Sequence, residues 1–336
     1  MKKAPLRLTR AQILGYRRRV GALDERLPRG KRSLRQAAWA GLQDSMPRAA
    51  LLSIHARVER TEASTWEDPS LVQLWGPRYS AYVVAERDLA AFTLGRLPDD
   101  DTGRRRAGLA ATRLRAHLRG RRMTYGEAGH AIGVPPNSLR YGATTGTILM
   151  RWDGARQPTV WTVPPPEVDP FDARLELARR YLHVFGPSTP EAFARWAGIR
   201  RGGVAAFEAL ALTPVRTPLG DAWILPQNEP AFRAEPKSVA PARLLPSGDA
   251  YLLGEDRALV VADVDQQREL WPSRVWPGGV LSGGEVVGTW RRADEKVTIQ
   301  ALRRLSRATR DAIESEAESL PLPGVRGRIV VRWADR

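Results

Sequence analysis

Three consecutive polar residues, Gln43, Asp44 and Ser45, have side chains that could hold a reacting water molecule. A neutral amide such as Gln43 can orient water, and the carboxylate of Asp44 or the hydroxyl of Ser45 can complete the hydrogen bonds of that water. The same trio also fits a helix cap, because Asp and Ser are favoured caps and Pro47 suits the first turn of a helix. Spacing alone favours the cap, and both interpretations stay open at this point.

The other residues that commonly carry chemistry are dispersed. The four histidines lie far apart and have no Glu at metal-ligand spacing: His55, His117, His130 and His183. The glycine pairs 278–279 and 283–284 are not followed by the helix and Lys of a phosphate loop, so nucleotide hydrolysis is not supported. Cysteine is absent, which excludes disulfides, thiolate zinc sites and a cysteine nucleophile. We therefore expect neither a metal nor another cofactor.

The charge balance points to a polyanionic partner. The 336 residues carry 53 Lys and Arg against 37 Asp and Glu, a net charge of +16, and nucleic acid is the leading partner class for such a chain. No apolar run approaches the roughly 18 residues that cross a bilayer, so we expect no membrane partner. Residues 1–7 are charged and lack the apolar stretch of a secretory signal, which predicts a cytoplasmic protein.

The elements that must position these residues follow a repeated pattern. Residues 1–98 read as three helices, a hairpin and a closing helix, in the order helix 9–20, helix 33–41, helix 47–58, strand 71–75, strand 79–84 and helix 86–95. Three short helices followed by a two-stranded wing are typical of a winged helix-turn-helix.

The same pattern recurs in residues 99–166 and again in 167–237. Its predicted elements are helices 105–118, 124–132 and 136–143 with strands 147–152 and 159–163, then helices 172–185, 189–197 and 204–212 with a hairpin over 214–225. Residues 238–336 are rich in predicted strands, including 242–253, 258–261, 279–281, 286–292, 296–299 and 328–333, around one helix at 301–320. We predict an α+β protein of three tandem winged helix-turn-helix units followed by a small β-rich C-terminal domain.

The second unit offers further candidates for contact with DNA. On its third helix these are Asn137, Ser138, Arg140 and Tyr141, and on or beside its wing they are Arg151, Trp152 and Arg156. Arginines interleaved with aromatic residues suit phosphate contact together with base stacking. The alternative is a solvated basic face on which Trp152 merely packs the hairpin.

Several segments, in order, resemble the winged-helix DNA glycosylases, the family of the azinomycin-resistance glycosylase and the bacterial interstrand-crosslink glycosylase. They cover most of the chain and are residues 40–50 with Arg57, 76–78, 82–84 with Asp88, 178–182, 185–187, 193–196, 244–246 with Asp249, and 286–290.

The resemblance implies three winged helices and a β domain around a concave DNA-binding face. Its motif is Gln, any residue, then Gln or Asp. Gln43 matches the first position and Ser45 departs at the third, and Tyr82 stands where the first wing of the family carries a histidine. The resemblance also makes Arg48, Arg57, Arg78 and Tyr82 candidates for DNA binding.

These observations predict a monomeric, metal-free DNA glycosylase that acts on double-stranded DNA and needs no obligate protein partner. It would remove N7-alkylated purines, or unhook interstrand crosslinks, by attack of a water that Gln43 positions. An N7-alkylguanine is already cationic and leaves easily, so few catalytic groups are required. The competing hypothesis is a non-catalytic tandem winged-helix protein, a regulator or damage sensor, because a serine cannot act as a base.

Overall fold

A computed structural model describes residues 6–46, 48–154, 156–199, 202–235, 241–325 and 327–334. Within these ranges the α-helices are α1 (Arg10–Val20), α2 (Lys31–Ala37), α3 (Ala49–His55), α4 (Leu89–Thr93), α5 (Asp101–Leu118), α6 (Tyr125–Ala131), α7 (Leu139–Gly142), α8 (Pro170–Phe185), α9 (Pro190–Ala197), α10 (Gly202–Ala209), α11 (Glu229–Arg233), α12 (Arg257–Val260), α13 (Val264–Leu270) and α14 (Arg307–Glu318). No helix in the described part of the chain is long and apolar enough to span a bilayer.

The strands form three sheets. They are β1 (Leu6–Arg7), β2 (Leu42–Gln43), β3 (Leu71–Trp75), β4 (Ala81–Ala85), β5 (Met123–Thr124), β6 (Ile148–Arg151), β7 (Thr159–Thr162), β8 (Thr213–Thr217), β9 (Gly220–Ile224), β10 (Arg243–Leu245), β11 (Gly278–Ser282), β12 (Glu285–Ala293), β13 (Lys296–Ala301) and β14 (Val330–Trp333). Their orders are β2-β4-β3-β6-β7-β5, β1-β8-β9 and β10-β11-β12-β13-β14. The prediction of a mixed helix and sheet protein is confirmed.

The six-stranded sheet joins the two hairpins that the sequence assigns to the first and second units. Strand β3 pairs with β4 on one side and meets β6 on the other, where Gln73 lies opposite Met150. Strand β2 forms one edge of this sheet by pairing antiparallel with β4, so that Leu42 faces Val83 and Gln43 faces Tyr82. The pairing places Gln43 on the outermost strand of a rigid sheet.

Capping residues set several helix starts where the sequence predicts them. Thr9 forms a capping box with Gln12 at the start of α1: the Thr9 hydroxyl accepts from the Gln12 amide, and the Gln12 side chain accepts from the Thr9 amide. Thr189 caps α9 through the backbone amide of Ala192, and Asp169 caps α8. The two threonines stand at predicted helix starts, whereas α8 begins at Pro170 rather than at the predicted residue 172.

Several element predictions are wrong. Residues 242–253, expected as one strand, form a strand only over Arg243–Leu245, because the chain turns at Gly248 with φ +82°. The helix expected over 301–320 begins at Arg307. Residues 258–261, expected as a strand, lie mostly in helix α12, which packs near α1 and α13. Helix α13 itself, capped by Asp263, was not predicted. The helix expected over 33–41 ends at Ala37, because Gly41 adopts φ +73° and the chain then enters β2.

The N-terminal segment of the described chain packs against distant parts of it. Strand β1 runs parallel to β8, with Leu6 opposite Val215. The Arg17 side chain at the end of α1 pairs with Asp256 and also donates to the carbonyl of Phe185. Strand β1 and helix α1 together thereby connect the hairpin β8-β9, helix α8 and the loop before α12.

Candidate active site

The Gln43 side chain is partly exposed at the edge of the six-stranded sheet and lies among four polar or small neighbours. Its Nε2 donates to Ser45 Oγ over 2.7 Å. Its Oε1 accepts from the Arg78 guanidinium at 3.2 Å and lies 3.5 Å from the Tyr82 hydroxyl. On another side, the Cα of Gly248 lies against it.

These neighbours fix which end of the Gln43 amide faces which way. Arg78 is a donor only, and burial of Tyr82 raises the pKa of its phenol, which therefore stays protonated and able to donate. The amide oxygen must face these two groups, and the amide nitrogen must face Ser45. The bond to Ser45 uses one of the two Nε2 hydrogens of Gln43. The second hydrogen remains available on a side chain that is partly exposed.

Asp44 does not join this cluster, because successive residues of an extended chain face opposite ways. Leu42 and Asp44 are buried, whereas Gln43 is partly exposed and Ser45 exposed. The Asp44 carboxylate accepts from the backbone amide of Ala50 at 3.0 Å and from Gln73 Nε2 at 2.8 Å. The expectation that Asp44 meets the reacting water is therefore wrong.

The Asp44 carboxylate bonds at the start of α3, as the helix-cap interpretation predicts for this residue, but the N-cap position itself is held by Arg48. Ala50 is the second residue of α3, and its amide is one of the donors that a helix leaves unpaired at its start. Residue Arg48, which precedes α3, has φ 64°, and Pro47 lies outside the described residues. The two interpretations of the trio thus apply to different residues: Asp44 bonds at the start of α3, while Gln43 and Ser45 face outwards.

Burial raises the pKa of Asp44 to about 7, although the Ala50 amide, the Arg48 and Arg151 charges and the Gln73 side chain oppose the shift. The carboxyl is fully buried, and it forms no ion pair with any Lys or Arg that the structure describes. Gln73 accepts in turn from the backbone amide of Trp152 at 2.6 Å, so one side chain links the motif to the wing β6-β7.

A turn after β10 closes the site on the side of Gly248. Gly248 has φ +82°, and a Cβ there would lie 3.2 Å from the Gln43 side-chain carbon Cδ. The next residue, Asp249, is buried and receives two bonds of 2.7 Å from Arg57 and one of 2.7 Å from Ser53. Burial alone would raise the pKa of Asp249, but Arg57 and these hydrogen bonds outweigh it and hold that pKa below its usual value.

Arg57 is consequently not available to DNA, and its expected role is corrected. Its side chain is 4% exposed, and both its terminal nitrogens are engaged by Asp249 and the Ser53 carbonyl. Tyr82 is also corrected, because it is 1% exposed and meets Gln43 rather than solvent. Both residues hold the site in place from within the protein.

Two of the expected DNA-binding arginines share one aromatic ring next to the motif. The guanidiniums of Arg48 and Arg151 each lie 4.4 Å from the centre of the Trp66 ring. Arg48 also donates to the carbonyl of Trp152 at 3.4 Å, and Glu67 approaches Arg151 only to 3.9 Å. Burial and the neighbouring Arg48 charge lower the pKa of Arg151. The nearby carboxylates therefore do not fully neutralise the charges of Arg48 and Arg151.

The other second-unit candidates separate into two places. Tyr141 is exposed and packs edge-on against Tyr79, with ring centres 4.8 Å apart, which brings it beside the turn that carries Arg78. Nearby, Asn137 is exposed, Ser138 and Arg140 are partly exposed, and Arg140 donates to the Asn137 carbonyl. The exposed Arg156 lies in the loop between β6 and β7, close to Asp153.

The sequence interpretation missed Gln73, Gly248, Trp66 and Arg96. Arg96 is 1% exposed and donates to the carbonyls of Trp75 and Ala197, which anchors the strand before Arg78 to α9; burial lowers its pKa to about 10. The sequence did contain a signal for Gln73, which is a single amide side chain in the otherwise apolar strand β3. No three His, Asp or Glu side chains converge on a possible metal position among the described residues.

A family model for AlkZ-like DNA glycosylases matches residues 37–321, and the chain therefore belongs to the AlkZ-like DNA glycosylase family. Membership of this family implies that the protein binds DNA and acts in DNA repair. Among solved structures, DNA glycosylase AlkZ of Streptomyces sahachiroi is similar over 98% of this chain and 100% of that chain, with a TM-score of 0.79 and 19% sequence identity. At this identity the likeness establishes the fold. No curated protein sequence matches the chain.

Proposed function

We propose that this chain is a monofunctional, metal-free DNA glycosylase that hydrolyses the N-glycosidic bond of N7-alkylated purines or unhooks interstrand crosslinks made through them. The observation that carries the proposal is the oriented amide of Gln43. Arg78 and Tyr82 hold its oxygen, and Ser45 accepts from its nitrogen. A partly exposed amide held by three partners is preorganised for binding a small polar molecule.

The reaction needs little from the protein. As the water oxygen bonds to C1′ of the sugar, the bond from C1′ to N9 breaks, and its electron pair neutralises the cationic base. The proton of the water passes to solvent, so no strong base is required. Ser45 Oγ accepts from Gln43 and keeps both a lone pair and its own hydrogen for the water.

The exposed Arg78 and the partly exposed Arg48 and Arg151 would hold the DNA around this position. Arg78 reaches Gln43 directly, and Arg48 and Arg151 stand together on Trp66 on the other side of the motif. Tyr141 and the segment around Asn137 extend this surface on the second predicted unit. A net charge of +16 supports binding to the DNA backbone without sequence preference.

The finer organisation is part of the same proposal. We assign the winged units to residues 1–98, 99–166 and 167–237 and the β-rich domain to 238–336, in a cytoplasmic monomer. Helices followed by the hairpins β3-β4, β6-β7 and β8-β9 support three winged units.

Base release from duplexes that contain N7-methylguanine or a nitrogen-mustard crosslink tests the activity. Gln43→Ala should lower the rate of release by about a hundredfold or more, with DNA affinity within about threefold of the wild type. Gln300→Ala is the matched control, since Gln300 is an exposed amide on β13 that bonds to Glu269. Absence of release from both substrates by the wild type contradicts the proposal.

The second candidate function is DNA binding without hydrolysis of the N-glycosidic bond. It is favoured by Ser45, which cannot act as a base, and by the Tyr82 hydroxyl that lies against the Gln43 oxygen. A selection of bound fragments from a random duplex pool discriminates between the two functions. A regulator yields a sequence consensus, whereas a glycosylase yields almost none.

A further inference from the structure

Arg257, the first residue of helix α12, is held between two tryptophan rings. Its guanidinium carbon lies 4.9 Å from the centre of the Trp271 ring and 4.9 Å from the centre of the Trp276 ring. Both indoles are fixed in turn. The N–H of Trp271 donates to the carbonyl of Leu252 at 3.2 Å. The N–H of Trp276 donates to the carbonyl of Pro272 at 2.9 Å. The partly exposed guanidinium is therefore held in one position before any ligand binds.

The charge of Arg257 has no direct counter-ion. Among the described residues, its side chain forms neither an ion pair nor a hydrogen bond. The two acidic residues that precede it are engaged elsewhere. Asp256 pairs with Arg17 at 2.6 Å, and the Glu255 carboxylate accepts from Arg195 Nε at 2.7 and 2.8 Å. The N–H donors of the Arg257 guanidinium are therefore available to a ligand.

Arg78 is a second cation without a carboxylate partner among the described residues, and it lies near Arg257. It is exposed and donates to the neutral amide oxygen of Gln43 at 3.2 Å. Burial lowers the pKa of Arg257, and the charge of Arg78 lowers it further. Trp276 also packs against the apolar cluster that contains Tyr82, whose hydroxyl faces the same Gln43 oxygen. Arg257 therefore faces Arg78 beside the candidate water site.

The turn that carries Arg78 has an uncommon backbone conformation. Arg78 and Tyr79 have φ 53° and 58°, in the left-handed region that residues other than glycine seldom adopt. Such residues concentrate at functional sites, where a particular side chain is needed in spite of the strain. The buried Arg96 supports the turn from within, since its guanidinium lies 4.9 Å from the centre of the Tyr79 ring. The backbone that carries Arg78 is therefore fixed as well.

Two neighbouring cations without a counter-ion favour an anion that both can contact. Guanidinium groups donate paired hydrogen bonds to the oxygens of a phosphate. A protein of a DNA glycosylase family meets this anion in the backbone of its DNA. An alkylated base that carries a positive charge would be repelled by both arginines, so the base itself is not the group that they hold.

We propose that Arg78 and Arg257 bind one backbone phosphate of the DNA between them, beside the nucleotide whose sugar faces Gln43. The contact itself needs only that the protein binds DNA, whereas its place beside the reacting sugar rests on the proposed function. Phosphate contacts set the register of a protein on the duplex. A phosphate that is held from two sides thereby fixes the sugar attached to it relative to the Gln43 amide.

Salt titrations of binding to an undamaged duplex test the contact. Arg257→Gln should make the slope of log K against log salt shallower, by up to about 0.9. The double variant Arg78→Gln/Arg257→Gln should lose about 0.9 in total, because the two arginines share one phosphate. Arg257→Lys should keep most of the wild-type slope, since an ammonium group retains the charge.

Arg310→Gln is the matched control for these titrations. Arg310 is exposed and also stacks on an indole, since its guanidinium lies 4.6 Å from the centre of the Trp333 ring. It belongs to helix α14, which packs on β10, β11 and β14. Arg310→Gln should therefore leave the slope unchanged.

The outcomes separate this inference from the proposed function. An unchanged slope for Arg257→Gln overturns the contact, and so does an equal loss for Arg257→Gln and Arg257→Lys, because packing between the tryptophans would then explain it. A loss of about twice 0.9 in the double variant overturns the shared phosphate.

Base release adds a test of where the phosphate lies. With saturating protein, Arg257→Gln should lower the rate of release about tenfold, and an unchanged rate overturns the position beside the reacting sugar. If the wild type releases no base, the proposed function fails, and the salt slopes still decide on the phosphate contact.

Discussion

Arg57 and Asp249 form a buried pair with two parallel bonds of 2.7 Å, and the pair links the end of helix α3 to the turn that contacts Gln43. The side chains are 4% and 0% exposed. The two residues are 192 positions apart in sequence, so this contact fixes the turn at Asp249 to the N-terminal part of the chain. The position of Gly248 against Gln43 depends on it.

Removal of one partner should destabilise the protein strongly. Arg57→Leu leaves the Asp249 carboxylate buried without its cation, which costs about 3 to 5 kcal/mol of unfolding free energy. Urea unfolding of the purified variant measures the loss. Glu255→Gln is the control, because the pair between Arg195 and Glu255 is exposed and should change stability by less than about 1 kcal/mol. Equal losses for the two variants would contradict the structural role of Arg57.

Gly248→Ala should lower the rate of base release by more than its loss of unfolding free energy explains. The new Cβ would lie 3.2 Å from Gln43 Cδ and push the amide away from Ser45. The left-handed backbone itself costs about 1 kcal/mol in any such substitution. Gly120→Ala controls for this cost, since Gly120 has φ +83° and no atom of the described residues lies within 4 Å of where its Cβ would be. A rate for Gly248→Ala that equals the rate for Gly120→Ala would remove Gly248 from the site.

The buried Asp44 should make stability depend on pH. Its pKa is raised to about 7 in the folded protein, so between about pH 4 and pH 7 the folded state binds more protons than the unfolded chain. Stability from this group is therefore present at low pH and is lost as pH rises through 7. The difference in unfolding free energy between wild type and Asp44→Asn should shrink by about 2 kcal/mol from pH 5 to pH 8.

Asp265→Asn supplies the comparison for that experiment, because its side chain is 85% exposed. Its difference from the wild type should stay constant over the same pH range. If the difference for Asp44→Asn is also constant, the carboxyl does not titrate in this range, and the assignment of its raised pKa is wrong.

Arg48→Ala and Arg151→Ala should weaken DNA binding in a salt-dependent way. Each loss of a phosphate contact lowers the slope of log K against log salt by about 0.9. Both guanidiniums stand on Trp66 next to the motif, so both effects should be seen with undamaged duplex. Titrations from about 50 to 200 mM salt measure the slopes. Arg268→Ala, a variant of an exposed arginine on α13, should leave the slope unchanged.

The features predicted correctly from the sequence are those that depend on residues close together in the chain. Helix α8 and the hairpin β3-β4 were predicted because each depends on residues within a few positions. Gln43 was singled out through the resemblance to the glycosylase family, and the family assignment is confirmed. The inward direction of Asp44 follows from strand alternation, but only once β2 is known to be a strand.

Long-range contacts account for what was missed. Gly248 and Asp249 reach Gln43 and Arg57 from about 200 residues away, and no pattern within either segment indicates this meeting. Arg57 therefore looked like a cation for DNA, although its partner is a carboxylate of the same chain. Helix α12 was predicted as a strand because four apolar-rich residues are too short to show a period.

The single sheet shared by the first two predicted units has a consequence for dissecting the protein. A fragment that ends near residue 98 would keep β3 but lose β6, so the Gln73 oxygen would lose the Trp152 amide to which it bonds. The unpaired edge of β3 could then pair with a second copy of the fragment, which favours self-association. Residues 1–98 are therefore unsuited to transplantation into another protein on their own, and chimeras should exchange residues 1–166 as one block.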